Sequence, residues 1–263
     1  MSSSASKWKD LAAQAEEQPR SAVPAMLVTG VVVGGMMALT LPFIVMPAVG
    51  KNLPYMATPA VKMQRALNFL QQHNYAKADT TSSTTTARAT GKQRQRRTFL
   101  DLGSGDGDAV YQAVKLVDNK STGTPYYQSC TGVELNSTLY LLSSVRRAFF
   151  WTREERARST FVCRDFWHLP DHMLREADTV LIFGIQPLMR PFSETLALHI
   201  RPGTHVLSYR FHLPVVQSSM VENCDIGASL PNTTAGKNVD PLLQATLIYD
   251  EDEMRIYECT ASH

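Results

Sequence analysis

The chain has 263 residues, 44% of them hydrophobic and 19% charged, with a formal net charge of +2 at pH 7. That length accommodates one full α/β domain with accessory segments but is short for two independently packed enzymatic domains, and so small a net charge gives no argument for a nucleic-acid partner. Cys130, Cys163, Cys224 and Cys259 lie far apart, with no CxxC pair and no histidine at ligand spacing. They read as structural thiols, and no metal site is expected.

Residues 1–20 mix Lys7, Lys9 and Arg20 with Asp10, Glu16 and Glu17, unlike an acid-poor transit peptide, and form a polar N-terminal tail. Between Arg20 and Lys51 there is no Asp, Glu, Lys or Arg, and Ala25 to Met46 reads AMLVTGVVVGGMMALTLPFIVM. A helix of about 20 apolar residues crosses a bilayer's hydrocarbon core, so residues 21–50 predict a transmembrane or membrane-anchoring helix. Pro42 and Pro47 weaken its lower half, and the basic residues on its two sides favour neither orientation.

Residues 51–75 precede the main domain and carry a short amphipathic pattern over Val61 to Leu70. Residues 76–97 are a low-complexity basic insertion: a Ser/Thr-rich run from Asp79 to Thr90, then GKQRQRR from Gly91 to Arg97. Its composition predicts a mobile, solvated loop.

From residue 98 to 263 short β-rich runs alternate with helical stretches. Strands are expected at Phe99 to Leu102, Cys130 to Glu134, Thr160 to Arg164, Thr179 to Phe183 and His205 to Arg210. Helices are expected at Ala109 to Val117, Ser137 to Trp151 and Pro191 to Ile200. Leu242 to Tyr249 and Met254 to Cys259 flank the acidic turn Asp250 to Glu253 as an antiparallel hairpin. The fold class is α/β, a Rossmann-like doubly wound sheet of seven strands. Lys120 to Tyr127, rich in Ser, Thr, Gly and Pro, reads as a surface insertion.

The sharpest chemical signal is Asp101-Leu-Gly-Ser-Gly-Asp-Gly107, after a strand and before a helix. Gly103, Gly105 and Gly107 permit a tight turn and close approach of a ligand to bare backbone, and the helix start presents free N–H groups. Asp101 and Asp106 would repel a pyrophosphate but attract the ammonium of a methionine-like ligand, whose carboxylate can use the backbone donors. The loop therefore predicts S-adenosylmethionine rather than NAD, with Ser104 among its contacts. Glu134, in Gly132-Val-Glu-Leu-Asn136, ends the second strand where a carboxylate can accept both ribose hydroxyls, with Asn136 beside it. Asp165 ends the third strand next to Phe166 and Trp167, an acceptor and an aromatic wall for an adenine.

The strings FLDLGSGDGDAV, GVELN, RDFWHL, VLIFGIQPLM and HVLSYRFHLP, in that order, resemble the mitochondrial protein-lysine methyltransferases that modify the ATP synthase c subunit and the ADP/ATP carrier, which have the class I seven-strand fold. The resemblance runs from about Leu41 to Pro214 and includes Leu53-Pro-Tyr-Met-Ala-Thr58. It implies cofactor contacts at Asp101, Gly103, Gly105, Glu134 and Asp165, an integral membrane protein carrying the acceptor lysine as partner, and a place at the mitochondrial inner membrane against the lipid bilayer. The chain departs from the family at Asp108, His168, Ile185-Gln186-Pro187 and His212.

Methyl transfer from a sulfonium needs alignment more than a catalytic triad, and none is visible. A lysine acceptor must lose a proton, which an apolar channel favours. The end of the fourth strand is where this fold places such a channel, so Phe183, Gln186 and Pro187 are the catalytic candidates and Tyr55 and Trp167 the substrate contacts. His168, His199, His205 and His212 form no recognisable base or metal set. The rival readings are a membrane-anchored small-molecule or lipid methyltransferase and an inactive membrane scaffold.

Overall fold

A computed structural model describes residues 23–48, 58–82, 97–119, 123–216 and 242–260. The chain divides into two compact units, Met1–Val49 and Gly50–His263.

In the first unit the described element is helix α1, Val23–Ala48, in which Pro42 and Pro47 lie within the helical span. The expected transmembrane or membrane-anchoring helix is not borne out as a span: among the described residues, no helix is long and apolar enough to cross a membrane. The side chains placed in α1 run from Met26 to Met37 with Thr40, all exposed.

The second unit opens with helix α2, Ala60–Ser82. It is longer than the Val61 to Leu70 pattern suggests and passes through the start of the Ser/Thr-rich run. Met63, Ala66, Leu67 and Leu70, spaced three and four apart, are at most 1% exposed, so one stripe of α2 is fully committed to the core. Burial of that stripe, rather than the propensity of Ala-Asp-Thr-Thr-Ser, holds the helix.

Strand β1 (Thr98–Leu102) leads through the glycine loop into α3 (Asp108–Lys115). The small hairpin β2 (Val117–Asn119) and β3 (Thr124–Pro125) precedes β4 (Ser129–Glu134). Helices α4 (Ser137–Phe150) and α5 (Arg153–Ala157) lead to β5 (Ser159–Cys163). A 3-10 turn, Phe166–His168, and α6 (Asp171–Glu176) come before β6 (Thr179–Phe183), α7 (Gln186–His199) and β7 (His205–Tyr209). The two-residue β8 (Val215–Val216) and the hairpin β9 (Leu243–Glu251) and β10 (Met254–Cys259) complete the unit.

The sheet order is β5-β4-β1-β6-β7-β10-β9-β8. The first five strands are parallel and β10 joins β7 antiparallel. The sheet thus has eight strands rather than the expected seven, because Val215 and Val216 pair parallel to β9. Inside this sheet the side chains alternate between two cores. Phe99, Leu181, Phe183, Leu207 and Tyr209 join α2 and α3 on one face, while Leu100, Leu102, Val180, Ile182 and Val206 join α6 and α7 on the other. Burial on both faces is what makes the middle of β6 and β7, Val180 to Ile182 and Val206 to Ser208, apolar or small, unlike a half-solvated strand.

Two local expectations need correction. Lys120 to Tyr127 is not wholly a surface insertion: Tyr126 and Tyr127 are 3% and 0% exposed, and the Tyr127 hydroxyl donates to Thr179 Oγ1 at 3.0 Å. Helix α7 starts at Gln186, not at Pro191, because Pro187 occupies the first turn, where its missing N–H costs nothing, and Pro191 follows within the helix. The expected insertion, residues 76–97, is helical through Ser82 and lies outside the described residues between 83 and 96. Its last residue, Arg97, is not loose in solvent but stands over the Tyr126 ring, 4.2 Å from the centroid.

Candidate active site

The order of β4, β1 and β6 reverses the direction of chain winding about β1, and parallel sheets place ligand clefts at the carboxyl ends of strands at such a reversal. The loops there are Gly103 to Gly107, Leu135 to Asn136 and Gly184 to Ile185. Gly103 has φ of 91°, Gly105 of 56° and Gly107 of 85°, all left-handed, so glycine is required by the turn. A Cβ on Gly103 would stand 3.9 Å from the Phe183 carbonyl oxygen, and one on Gly107 only 2.6 Å from the Phe161 ring. The loop is therefore pressed against the ring from β5 and in ordinary contact with β6.

The loop is stitched to β4. The N–H groups of Gly103 and Ser104 both donate to the Val133 carbonyl at 2.9 Å. Glu134 holds the next turn: Oε2 accepts from Gly105 N–H at 2.8 Å and Oε1 from Asn136 N–H at 2.7 Å. Each carboxylate oxygen has a second lone pair, so Glu134 can orient the loop and still accept from a ligand. Asn136 caps α4, its side-chain oxygen accepting from Thr138 N–H at 2.9 Å and Leu139 N–H at 3.4 Å.

Asp101 is 2% exposed. Burial, with the charges of Glu134 and Asp106, holds its carboxyl well above the usual aspartate range, and burial raises Glu134 as well. Asp106 is engaged by Arg146, whose Nη1 lies 2.5 Å from its Oδ2, while Nη2 lies 2.5 Å from Asp108 Oδ1. Arg146, on α4, thus neutralises the outer rim of the loop, while among the described residues no ion pair reaches the inner carboxyls, Asp101 and Glu134. Ser104 Oγ is buried and has no hydrogen-bond partner among the described residues. A buried pair of carboxyls, a hydroxyl with no partner among the described residues and bare glycine backbone make a donor and acceptor set suited to an amino-acid ammonium and a ribose, and unsuited to a pyrophosphate.

Asp165 caps the 3-10 turn, accepting from Trp167 N–H at 3.1 Å. Phe166 and Trp167 both stack on Phe192 of α7, with centroids 5.0 and 4.9 Å away at 28° and 29°. Trp167 keeps 38% of its surface exposed, so this aromatic ledge has an open edge. Phe183 is buried against Tyr209, with centroids 5.7 Å apart, while Gln186 and Pro187 are exposed at the start of α7. Tyr55 lies outside the described residues.

The structure therefore brings Asp101, Gly103, Ser104, Gly105, Asp106, Gly107, Glu134 and Asn136 into one loop system at the ends of β1 and β4, and Phe183 to the adjoining end of β6. The sequence does not point to Arg146, Phe192 or Tyr209. Arg146 stands forty residues beyond Asp106 in an Arg-Arg pair that looks solvated, and Phe192 follows a proline that reads as a helix start.

Residues 101–220 match the family described as the ANTKMT methyltransferase domain. They are a methyltransferase domain. Its cofactor is S-adenosylmethionine, which the charge and geometry of the loop fit. The ATP synthase c-subunit lysine N-methyltransferase of Rattus norvegicus is 27% identical over 192 residues, covering 72% of this chain and 71% of that one. The Mus musculus protein of the same name is also 27% identical over 192 residues, and the match covers 62% of its length. The Caenorhabditis elegans protein is 34% identical over 120 residues, 46% of this chain and 54% of that one. Among solved structures, an RNA methyltransferase from Salinibacter ruber in complex with S-adenosyl-L-homocysteine aligns with 64% of this chain and 82% of its own, at 19% identity and a TM-score of 0.38.

Proposed function

We propose that the chain is a protein-lysine N-methyltransferase acting on an integral protein of the mitochondrial inner membrane, of the ATP synthase c subunit or ADP/ATP carrier type. The observation that carries this reading is the similarity to c-subunit lysine methyltransferases over 72% of the chain, well beyond the glycine loop that many methyltransferases would share. Helix α1 supports the membrane part. It has no acidic or basic residue over 26 positions, and its described side chains from Met26 to Met37 are all exposed. Such a surface calls for lipid or a protein partner.

S-adenosylmethionine, when bound, supplies a methyl group on a sulfonium that can pass to a nucleophile. Asp101 binds the amino group of its methionine part, and the Glu134 carboxylate accepts from its ribose while keeping the loop in shape. Ser104 Oγ, which has no partner among the described residues, donates to the ligand. Asp165 and Phe166 receive the adenine. Arg146 keeps Asp106 and Asp108 from adding to the inner negative field.

The acceptor lysine reaches the site at the end of β6. With the cofactor held there, the lysine nitrogen would take the methyl carbon as the carbon–sulfur bond broke, the electron pair staying on sulfur and the amine's proton passing to solvent. Removing that proton beforehand costs about 3–4 kcal/mol near neutral pH, from two to three pK units at ~1.36 kcal/mol each. Phe183, buried beside Tyr209, and the exposed edge of Trp167 supply the apolar walls that lower this cost by disfavouring the ammonium. Gln186 and Pro187 form the lip. Tyr55 is proposed as a further wall.

The experiment is to incubate the full chain and labelled S-adenosylmethionine with mitochondrial membranes from cells lacking the enzyme and to identify the labelled residue. Label on a lysine of the c subunit or the carrier supports the reading. Label confined to a lipid or small metabolite would replace it with the rival chemistry on the same fold.

A further inference from the structure

The parallel strands begin at the end of the sheet opposite the glycine loop, and three side chains of ligand type meet there. They are His73 on α2, His205 at the first position of β7, and Glu258 on β10, which pairs directly across from His205. One ligand atom of each lies within 4.8 Å of the other two. His73 Nε2 is 3.2 Å from Glu258 Oε2, and the rings of His73 and His205 stand 6.1 Å apart at 84°. No sequence spacing could announce this group, since its members lie 132 and 53 residues apart and only the docking of α2 unites them.

A second observation points to a ligand. His205 is 5% exposed, and its Nε2 is buried with no hydrogen-bond partner among the described residues. A buried ring nitrogen is normally satisfied. A positive charge already stands at the other side of the group, because Lys77 Nζ contacts Glu258 Oε1. Two imidazole nitrogens and one carboxylate oxygen supply three of the ligands of a four-coordinate zinc-type ion, with water as the usual fourth, whereas calcium or magnesium would call for oxygen alone.

We propose that His73, His205 and Glu258 hold a divalent transition-metal ion of the zinc type, which clamps α2 to the sheet at the end remote from methyl transfer. The ion joins α2, β7 and β10, and α2 and β10 otherwise meet through apolar packing and the contacts of His73 and Lys77 with Glu258. It displaces the Lys77 ammonium from Glu258, so Lys77 competes with it.

The test uses the full chain, stripped with a chelator and titrated with Zn(II) by calorimetry and with Co(II) by visible absorption. One ion per chain is expected, with a raised Tm and the strong visible bands of four-coordinate Co(II). Because altering an outer partner of a metal ligand already costs about 10–100-fold in affinity, His73→Ala should cost more than about a hundredfold. Lys77→Ala should tighten binding by about two- to fivefold, the worth of one exposed ion pair. Should His73→Ala fail to fold, Glu258→Gln, which keeps the side chain's shape, takes its place and should lose Zn(II) comparably. S-adenosylmethionine binding by the stripped protein should be unchanged. Failure of Zn(II) to raise the Tm, or equal Zn(II) affinity in the parent and these ligand variants, overturns the site and reduces the group to an ion-paired latch.

Discussion

At the scale of single residues, Asp101 carries the strongest expectation. In the ligand-free protein, burial and two nearby carboxylates raise its pKa. A carboxyl raised on folding contributes stability that is present below its unfolded value, ordinarily about 3.9, and is lost as pH rises through the folded value. The ligand's ammonium needs the ionised form, so its stabilising effect grows over the same rise. Scanning calorimetry should show the Tm gap between S-adenosylmethionine-bound and free protein widening as pH climbs from the ordinary carboxylate range. Asp101→Asn should flatten that gap and weaken binding by on the order of 1.5–3 kcal/mol, about ten- to a hundredfold. A gap independent of pH would reject Asp101 as the ammonium partner. Arg146→Gln tests the outer rim: with both Asp106 and Asp108 released, about 1 kcal/mol of loop stability is expected to go. Isothermal titration should then report about fivefold weaker cofactor binding, and unchanged affinity would make the clamp merely a surface ion pair.

Among the elements, α2 decides whether the methyltransferase domain stands alone. Leu67 is 1% exposed in the same core as Phe99, Val110 and Leu207, so Leu67→Ala should destabilise the protein by about 2–5 kcal/mol through lost transfer energy and a residual cavity. Urea unfolding would read this directly, and a change below about 0.5 kcal/mol would mean that α2 is a removable appendage. The sequence disclosed this helix only in part. Its apolar spacing is plain from Val61 to Leu70, but its last turns are polar and draw their order from partners far along the chain. Gln71 Nε2 donates to the Val117 carbonyl at 2.8 Å, and Asn74 Nδ2 to the Tyr126 hydroxyl at 2.9 Å. The central strands were legible almost residue by residue, because burial on both faces leaves apolar runs that local pattern reveals. The glycine loop was legible for another local reason: three left-handed positions between a strand and a helix admit little but glycine. Arg146, Phe192 and the His73, His205 and Glu258 group were not legible, since each acquires its meaning from a long-range contact.

For the whole molecule, the boundary between Val49 and Gly50 separates two compact units, and the proposed function assigns them different tasks. All the proposed cofactor contacts lie beyond Gly50, as does the core that supports them. The first unit offers chemistry no polar group suited to it over Val23–Ala48, but an uncharged helix can hold an enzyme on the surface where a membrane-embedded substrate is found, raising the effective concentration of one for the other. Removing residues 1–49 should therefore leave S-adenosylmethionine affinity within about twofold of the full chain, while methylation of the native membrane substrate falls by at least about tenfold, at the low end of the gain expected from such tethering. The comparison needs a second arm, in which the same substrate is presented in detergent. There the truncated and full chains should perform alike, because no common surface remains to exploit. Mass spectrometry of the acceptor lysine in both arms gives the readout. Equal activity on membranes would assign α1 some task other than concentrating the enzyme. Loss of activity in detergent as well would place part of the catalytic or substrate-binding machinery within residues 1–49.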